Sequence, residues 1–338
     1  MRAMNRAHAG GALAAIIALC SVAGCSSMGS VRGLSAASEQ PWAAATAVAA
    51  PLDLPDDTSA FALLRSAAAA AEELSFEGVT ISTQSGGGEE QLDRVVHIPG
   101  RGTITVPIGQ GDGGQLIPDG ADSTLPGAAR FLDLLAARYA VTVGGEGKVM
   151  NRPADVVEAH DSAHRLLARF WVDRKTNLMV KRQLIDPSTA VVRTVEFESL
   201  TTPARSTPDV TATASQGPQL TEVAVGRLRS EGWVCPQALP GGLTFVSADE
   251  TDSGAVHMVY SDGLDVVSLF VQKGRLDPQR MGGMTMSSMA GGTVFSVEGA
   301  SPTLVWSSQG SVLTLMSDLP RPALIRIVTA LAPDVLTN

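Results

Sequence analysis

Cysteine is scarce in this chain, with 3 among 338 residues. Cys20 and Cys25 lie near the N-terminus, and the third is Cys235. If the N-terminal pair takes no part in the fold, Cys235 has no disulfide partner within the chain, so we expect burial to hold the fold together. Cys235 lies beside Pro236 and close to Trp233, and we interpret it as a small buried apolar residue and not as a reactive thiol.

An excess of positive charge is also lacking. The chain has 25 Lys and Arg residues against 34 Asp and Glu residues, for a formal net charge of −9. Proteins that bind nucleic acids neutralise phosphates with a basic surface, and this composition argues against such a partner. The length is sufficient for two domains that each have a hydrophobic core.

Motifs for catalysis and for resident metals or cofactors are missing as well. There is no Gly-x-Ser-x-Gly elbow and no Cys/His arrangement, so we predict that the chain is not an enzyme. The glycines of residues 109–114 have dinucleotide spacing, but Pro118 follows too soon for the helix that would hold a pyrophosphate. His160 and His164 are four residues apart, yet no third ligand is near, and we predict no metal site and no cofactor.

The first 25 residues have the features of a lipoprotein signal peptide. A short basic start is followed by an apolar stretch, residues 12–19, that is too brief to cross a bilayer, and then by small residues before Cys25. We predict that residues 1–24 are removed and that Cys25 is acylated. Two acyl chains anchor a protein stably, so the folded part is expected on the extracytoplasmic side of the cell membrane.

Composition divides the remaining chain into four segments. Residues 25–55 are rich in Ser, Ala, Gly and Pro, which is typical of a flexible tether. Residues 201–218 accumulate proline and threonine while apolar residues become fewer, which indicates a linker. We therefore predict one domain over residues 56–200 and a smaller one over residues 219–338.

The first predicted domain combines two helices with many strands. One helix follows the capping residues 56–59, the other covers residues 126–139, and alternating strands fill most of the rest. This order predicts an α+β fold in which a curved antiparallel sheet, an open half-barrel, holds the helices in its concavity. Apolar residues could line a lipid cavity there or simply pack the helices onto the sheet, namely Phe61, Leu64, Phe131, Leu135 and Trp171.

The second predicted domain is a smaller α+β unit. A short helix over residues 220–229 precedes several strands, and a helix over residues 322–331 closes it. Asp262-Gly263 lies between two alternating apolar runs, which is a strong hairpin signal. A glycine-rich segment carries four clustered thioethers, Met281, Met284, Met286 and Met289, and such soft ligands suit Cu(I). A copper-binding lipoprotein is therefore a weaker alternative, and a contact loop is the other interpretation.

Three segments together resemble one known family. They are Phe76-Glu77-Gly78, the run Phe170-Trp-Val-Asp-Arg-Lys-Thr-Asn-Leu178, and Tyr260-Ser-Asp-Gly-Leu264 followed by Val267-Ser-Leu-Phe-Val271. In this order they are similar to the MucB/RseB envelope-stress regulators, whose first domain is of the LolA/LppX lipoprotein-carrier type. The family usually has glycine where Asn151 and Asn177 stand, and asparagine tolerates positive φ better than most residues.

The resemblance implies a function by binding. Family members bind the extracytoplasmic segment of a transmembrane anti-sigma factor and shield it from proteolysis, which keeps the sigma factor inactive, and a lipid-like or lipopeptide ligand releases some of them. It implies that the second domain contacts the anti-sigma factor, through Tyr260, Ser261, Asp262, Gly263, Leu264 and Phe270. The alternative is a lipid-binding carrier lipoprotein of the LolA/LppX type, which would carry lipid and have no protein partner.

Overall fold

The computed structural model describes most of residues 58–332. The described ranges are residues 58–85, 90–100, 102–109, 115–117, 129–186, 192–205, 216–251, 253–289, 292–297, 302–317 and 319–332. The predicted signal peptide, the tether and the acylation site Cys25 lie outside them.

The N-terminal unit is built on an open nine-stranded antiparallel sheet with the order β4-β3-β2-β1-β9-β8-β7-β6-β5. Its strands are β1 (Phe76–Gln84), β2 (Gln91–Ile98), β3 (Gly102–Pro107), β4 (Gln115–Ile117), β5 (Ala140–Val149), β6 (Arg152–His160), β7 (Leu166–Asp173), β8 (Met179–Ile185) and β9 (Val192–Thr201). Most neighbours in the sheet are neighbours in sequence, and the pairing of β1 with β9 joins the two halves.

Two helices cover the concave face of this sheet. They are α1 (Thr58–Glu73) and α2 (Ala129–Arg138). Alternation in the strands turns one set of side chains toward the helices, because successive residues of a strand point to opposite faces. Phe61 and Leu64 of α1 join Leu135 of α2 and Phe170 of β7 in one buried apolar cluster. The predicted α+β half-barrel with helices in its concavity is confirmed.

The C-terminal unit has a second open antiparallel sheet with the order β10-β12-β13-β14-β18-β17-β16-β15 and a short β11 paired to β12. The strands are β10 (Gln216–Leu220), β11 (Ala238–Leu239), β12 (Leu243–Thr251), β13 (Val256–Ser261), β14 (Val266–Lys273), β15 (Thr285–Met289), β16 (Gly292–Val297), β17 (Thr303–Ser308) and β18 (Ser311–Met316). Helices α3 (Glu222–Ser230) and α4 (Arg321–Leu331) and a 3-10 turn (Pro278–Arg280) complete it.

One face of the second sheet packs against α3 and α4. The shared cluster includes Trp306 and Leu313 from the sheet, Val225 from α3 and Ile327 from α4. Burial of a large apolar side chain contributes roughly 1.5–3 kcal/mol, so this cluster is the main source of stability in the unit. Cys235 is buried in it, as predicted, and burial raises the pKa of its thiol.

Several local predictions differ from the structure. Residues 285–289 form an edge strand and not a loop. The predicted linker contains strand at both ends, because β9 continues to Thr201 and β10 begins at Gln216. Asn151 and Asn177 do adopt positive φ, at 60° and 58°. Among the described residues, no helix has both the length and the apolar character needed to cross a membrane.

Candidate functional site

The predicted hairpin between β13 and β14 exists, but its connection is longer than two residues. Ser261 pairs with Val266, so residues 262–265 form a four-residue loop. We call Ser261–Asp265 the acidic turn. The Asp262 carboxylate accepts hydrogen bonds from the amides of Leu264 (2.9 Å) and Asp265 (2.8 Å). Such short-range side-chain acceptors shape turns, so the acidic turn supplies much of its own support.

Glycine is required within the acidic turn for two reasons. Gly263 has φ +98°, a conformation that side-chain-bearing residues rarely adopt. A Cβ there would also lie 2.5 Å from the Leu135 amide nitrogen, inside van der Waals contact. The backbone of the acidic turn therefore lies directly against the last turn of α2, in the N-terminal unit.

Leu264 carries the apolar part of this contact. It is 4% exposed, and it belongs to the apolar cluster of the N-terminal unit together with Leu132, Leu135 and Leu184. Tyr260, four residues earlier on β13, is instead buried in the core of the C-terminal unit, where its hydroxyl donates to the Pro236 carbonyl at 2.8 Å. The predicted partner-binding residues thus point in two directions.

Four side chains of the N-terminal unit contact the acidic turn or the neighbouring turn at Gly242, and we call them the cradle: Arg138, Tyr139, Arg182 and Arg193. The Tyr139 hydroxyl donates to Asp262 at 2.6 Å, and Arg193 pairs with Asp265 at 2.6 Å. Arg182 donates to the Leu264 carbonyl, and Arg138 donates to the Gly242 carbonyl in the neighbouring turn. Burial and the adjacent Asp262 carboxylate raise the pKa of Tyr139, so its hydroxyl remains a donor.

The cradle was missed at the sequence level, although one signal was present. Arg182 has the same period-two register as the buried Val180 and Leu184, so β8 points a cation toward the apolar face. A charge at such a position is costly unless it is paired. The sequence does not show what pairs with it, since the acidic turn is more than 70 residues away along the chain.

Four of the five predicted cavity residues share the concave side of the sheet. Phe61, Leu64, Phe131 and Leu135 are all buried under or within the helices. Trp171 is in the opposite register to Phe170, and it lies beside Gly147 with Lys181 at 5.2 Å from its ring. Because Phe61, Leu64 and Leu135 are packed in one apolar cluster, a lipid-lining role for these residues stays a prediction.

Phe270 occupies a surface separate from the acidic turn. Its ring stacks on His257 with centroids 4.3 Å apart, and His257 contacts Asp249 at 3.0 Å and Ser268 at 3.2 Å. These side chains lie on the sheet face away from α3 and α4 and are partly exposed. A partner could reach Phe270 without any rearrangement, whereas the acidic turn is covered by the N-terminal unit.

Three methionines of the copper alternative lie in different environments, and the side chain of Met289 is outside the described part of the chain. Met281 is buried in an apolar cluster with Phe295 and Val305, Met284 packs against that cluster, and Met286 is 68% exposed on β15. His164 lies in a turn whose shape is set by Asp161, which accepts from the amides of Ala163 and Arg165. In the described part of the chain, His, Cys, Asp and Glu residues form no group that could hold a metal ion.

A buried ion pair fixes the end of β7, within the run that carried the family resemblance. Asp173 is fully buried and accepts from Arg152 at 3.0 and 2.7 Å and from the Thr176 hydroxyl at 2.6 Å. Burial alone would raise the pKa of this carboxyl, but the hydrogen bonds from Arg152 and Thr176 outweigh it and lower the pKa. The pair joins the first residue of β6 to the last residue of β7.

Residues 118–220 match the family described as the MucB/RseB N-terminal domain. The match includes α2, the strands β5–β9 and the run from Phe170 to Leu178, and it confirms the resemblance inferred from that run. All four cradle residues lie within the matched segment.

Solved structures of MucB align with most of the chain, and a LolA superfamily structure aligns with less than half of it. The Pseudomonas aeruginosa MucA/MucB complex is 18% identical, with a TM-score of 0.45, over 80% of this chain and 96% of that one. A crystal structure of MucB is 19% identical, with a TM-score of 0.46, and it also covers 80% of this chain and 96% of that one. A LolA superfamily protein from Nitrosomonas europaea is 10% identical, with a TM-score of 0.20, over 44% of this chain and 95% of that one. No curated protein matches the chain.

Proposed function

We propose that this chain is an extracytoplasmic regulator that acts by binding and not by catalysis. Its partner is the outer segment of a transmembrane anti-sigma factor, which it shields from proteolysis so that an envelope-stress sigma factor stays inactive. The observation that carries the proposal is the MucB/RseB N-terminal domain match over residues 118–220. The P. aeruginosa relative is described as a complex of MucB with MucA, which is consistent with a protein partner.

The charge and surface of the chain support a binding role. The net charge of −9 does not favour a nucleic acid partner. Phe270 and His257 provide a partly exposed aromatic pair on the second sheet, and aromatic residues are enriched where proteins bind each other. Of the residues that the family resemblance implies as contacts, Tyr260 is buried in the core of its own unit, and Leu264 is buried against the N-terminal unit.

We further propose that acylation at Cys25 tethers the protein to the cell membrane on its extracytoplasmic side. The support is the sequence pattern of a signal peptide that ends in small residues before Cys25. A lipid-anchored regulator would stay beside a transmembrane partner, because two acyl chains hold a protein stably at a membrane. A lipid or lipopeptide that enters the N-terminal unit would be a release signal.

Crosslinking in intact cells followed by mass spectrometry tests the proposal. We expect recovery of a single-pass membrane protein with a cytoplasmic sigma-binding domain, at a yield well above that from cells that lack this protein. The variant Cys25→Ser is the matched control, and it should leave the membrane fraction and lose most of the crosslink. Recovery of lipid alone, without such a protein, would contradict the proposal and favour the lipid-carrier alternative.

A further inference from the structure

The cradle concentrates positive charge in an otherwise acidic chain. Arg182 of β8 and Arg193 of β9 meet the acidic turn, and Arg138 of α2 meets the neighbouring turn at Gly242, although the chain has a net charge of −9. Arg182 is buried, and a buried cation is tolerated only when acceptors surround it. The cradle therefore requires an occupant that brings carboxylates or carbonyls, and in this structure the acidic turn brings both.

The occupant combines a leucine with flanking carboxylates. Leu264 enters the apolar cluster of the N-terminal unit, while Asp262 and Asp265 on either side meet Tyr139 and Arg193. The recognised chemistry is thus an acidic residue two positions before a leucine and another directly after it. Gly263 permits the close approach to α2.

The acidic turn can leave the cradle without loss of its own unit. Leu264 belongs to the N-terminal cluster and contributes nothing to the core around Trp306. Hydrogen bonds from Arg138, Arg182 and Arg193 join the two units through the turns at Gly242 and Ser261–Asp265. Limited contacts between domains resemble transient protein interfaces.

We propose that the cradle is the docking site for an acidic, leucine-bearing segment of the partner protein, and that the acidic turn occupies this site in the unbound chain. This inference rests on the proposed function for the identity of the partner. Binding of the partner segment expels the acidic turn and frees the hairpin of the C-terminal unit. A covalently attached competitor has an effective concentration on the order of millimolar, so it suppresses weak or incorrect ligands.

A peptide that copies the acidic turn provides the test. The probe is a fluorescent cyclic peptide with the sequence of residues 259–268, added to the full-length chain. The double variant Leu264→Ala/Asp265→Asn weakens the internal occupant, and we expect it to bind the probe at least about tenfold more tightly than the wild type does, because the internal competitor is lost. Adding Arg193→Gln to this double variant should reverse the gain.

The matched control is Lys181→Gln in the same double variant. Lys181 is a neighbouring cation on β8, but it pairs with Glu196 at 2.6 Å on the face away from the cradle. Probe binding should not change. Asp265→Asn alone, which keeps Leu264, should also bind the probe more tightly than the wild type does, but by a smaller factor. This second variant keeps the test informative if the double variant is unstable.

Three results would overturn the inference. The first is that the wild type and the weakened variants bind the probe with equal affinity. The second is that Arg193→Gln does not change the probe affinity of the double variant. The third is that variants with a native circular dichroism spectrum do not bind the probe. The probe derives from this chain, so its binding does not depend on any anti-sigma factor. If the probe binds but no anti-sigma factor is crosslinked in cells, only the proposed function is rejected. If an anti-sigma factor is crosslinked but the probe does not bind, only the role of the cradle as a docking site is rejected.

Discussion

Asp173 and Asp155 show how burial decides the value of an ion pair. Asp173 meets Arg152 at 2.7 Å and is fully buried, whereas Asp155 meets Arg174 at 2.6 Å with both side chains partly exposed. The distances are nearly equal, but water screens only the second pair. Removal of one partner from a buried pair costs about 3–5 kcal/mol, and an exposed pair contributes about 0–1 kcal/mol.

We therefore expect Asp173→Asn to lower the free energy of unfolding of the N-terminal unit by about 3 kcal/mol at pH 7. The lowered pKa of Asp173 means that its contribution is present above the unfolded value, near 4, and is lost as the pH falls through the folded value. The difference in the free energy of unfolding between the wild type and Asp173→Asn should therefore be smaller at pH 3 than at pH 7. Urea unfolding at both pH values measures it, and Asp155→Asn, with a loss below about 1 kcal/mol, is the control.

The hairpin β13–β14 depends on a single glycine that faces another unit. We expect Gly263→Ala to cost more than the 1–2 kcal/mol of an unfavourable backbone conformation, because its Cβ would also meet Leu135 at 2.5–2.7 Å. Gly254→Ala is the matched control, since Gly254 has φ +74° with nothing within 4 Å. Thermal unfolding should show a clearly larger loss for Gly263→Ala. Equal losses would mean that the acidic turn is not held against α2.

Elements with strong periodicity were predictable from the sequence, whereas contacts between distant elements were not. The helices and most strands follow from alternation and capping, for example α1, which is predicted after residues 56–59 and begins at Thr58, and β14 with its alternating burial. Short edge strands such as β4 and β15 were missed because three to five residues carry little pattern. The cradle was missed because the partner of Arg193 is Asp265, and no local rule connects them.

The arrangement of the two units depends on a few charges, so it should respond to charge reversal. Arg193 and Asp265 meet at 2.6 Å and are mostly shielded from water. Arg193→Glu places two carboxylates together, and we expect the units to separate, with a larger radius of gyration in small-angle X-ray scattering. The swap Arg193→Glu/Asp265→Arg restores opposite charges and should return the radius toward the wild-type value. Such rescue assigns the effect to this pair, because independent defects would add. If the double variant is as expanded as the single one, the pair does not hold the units together.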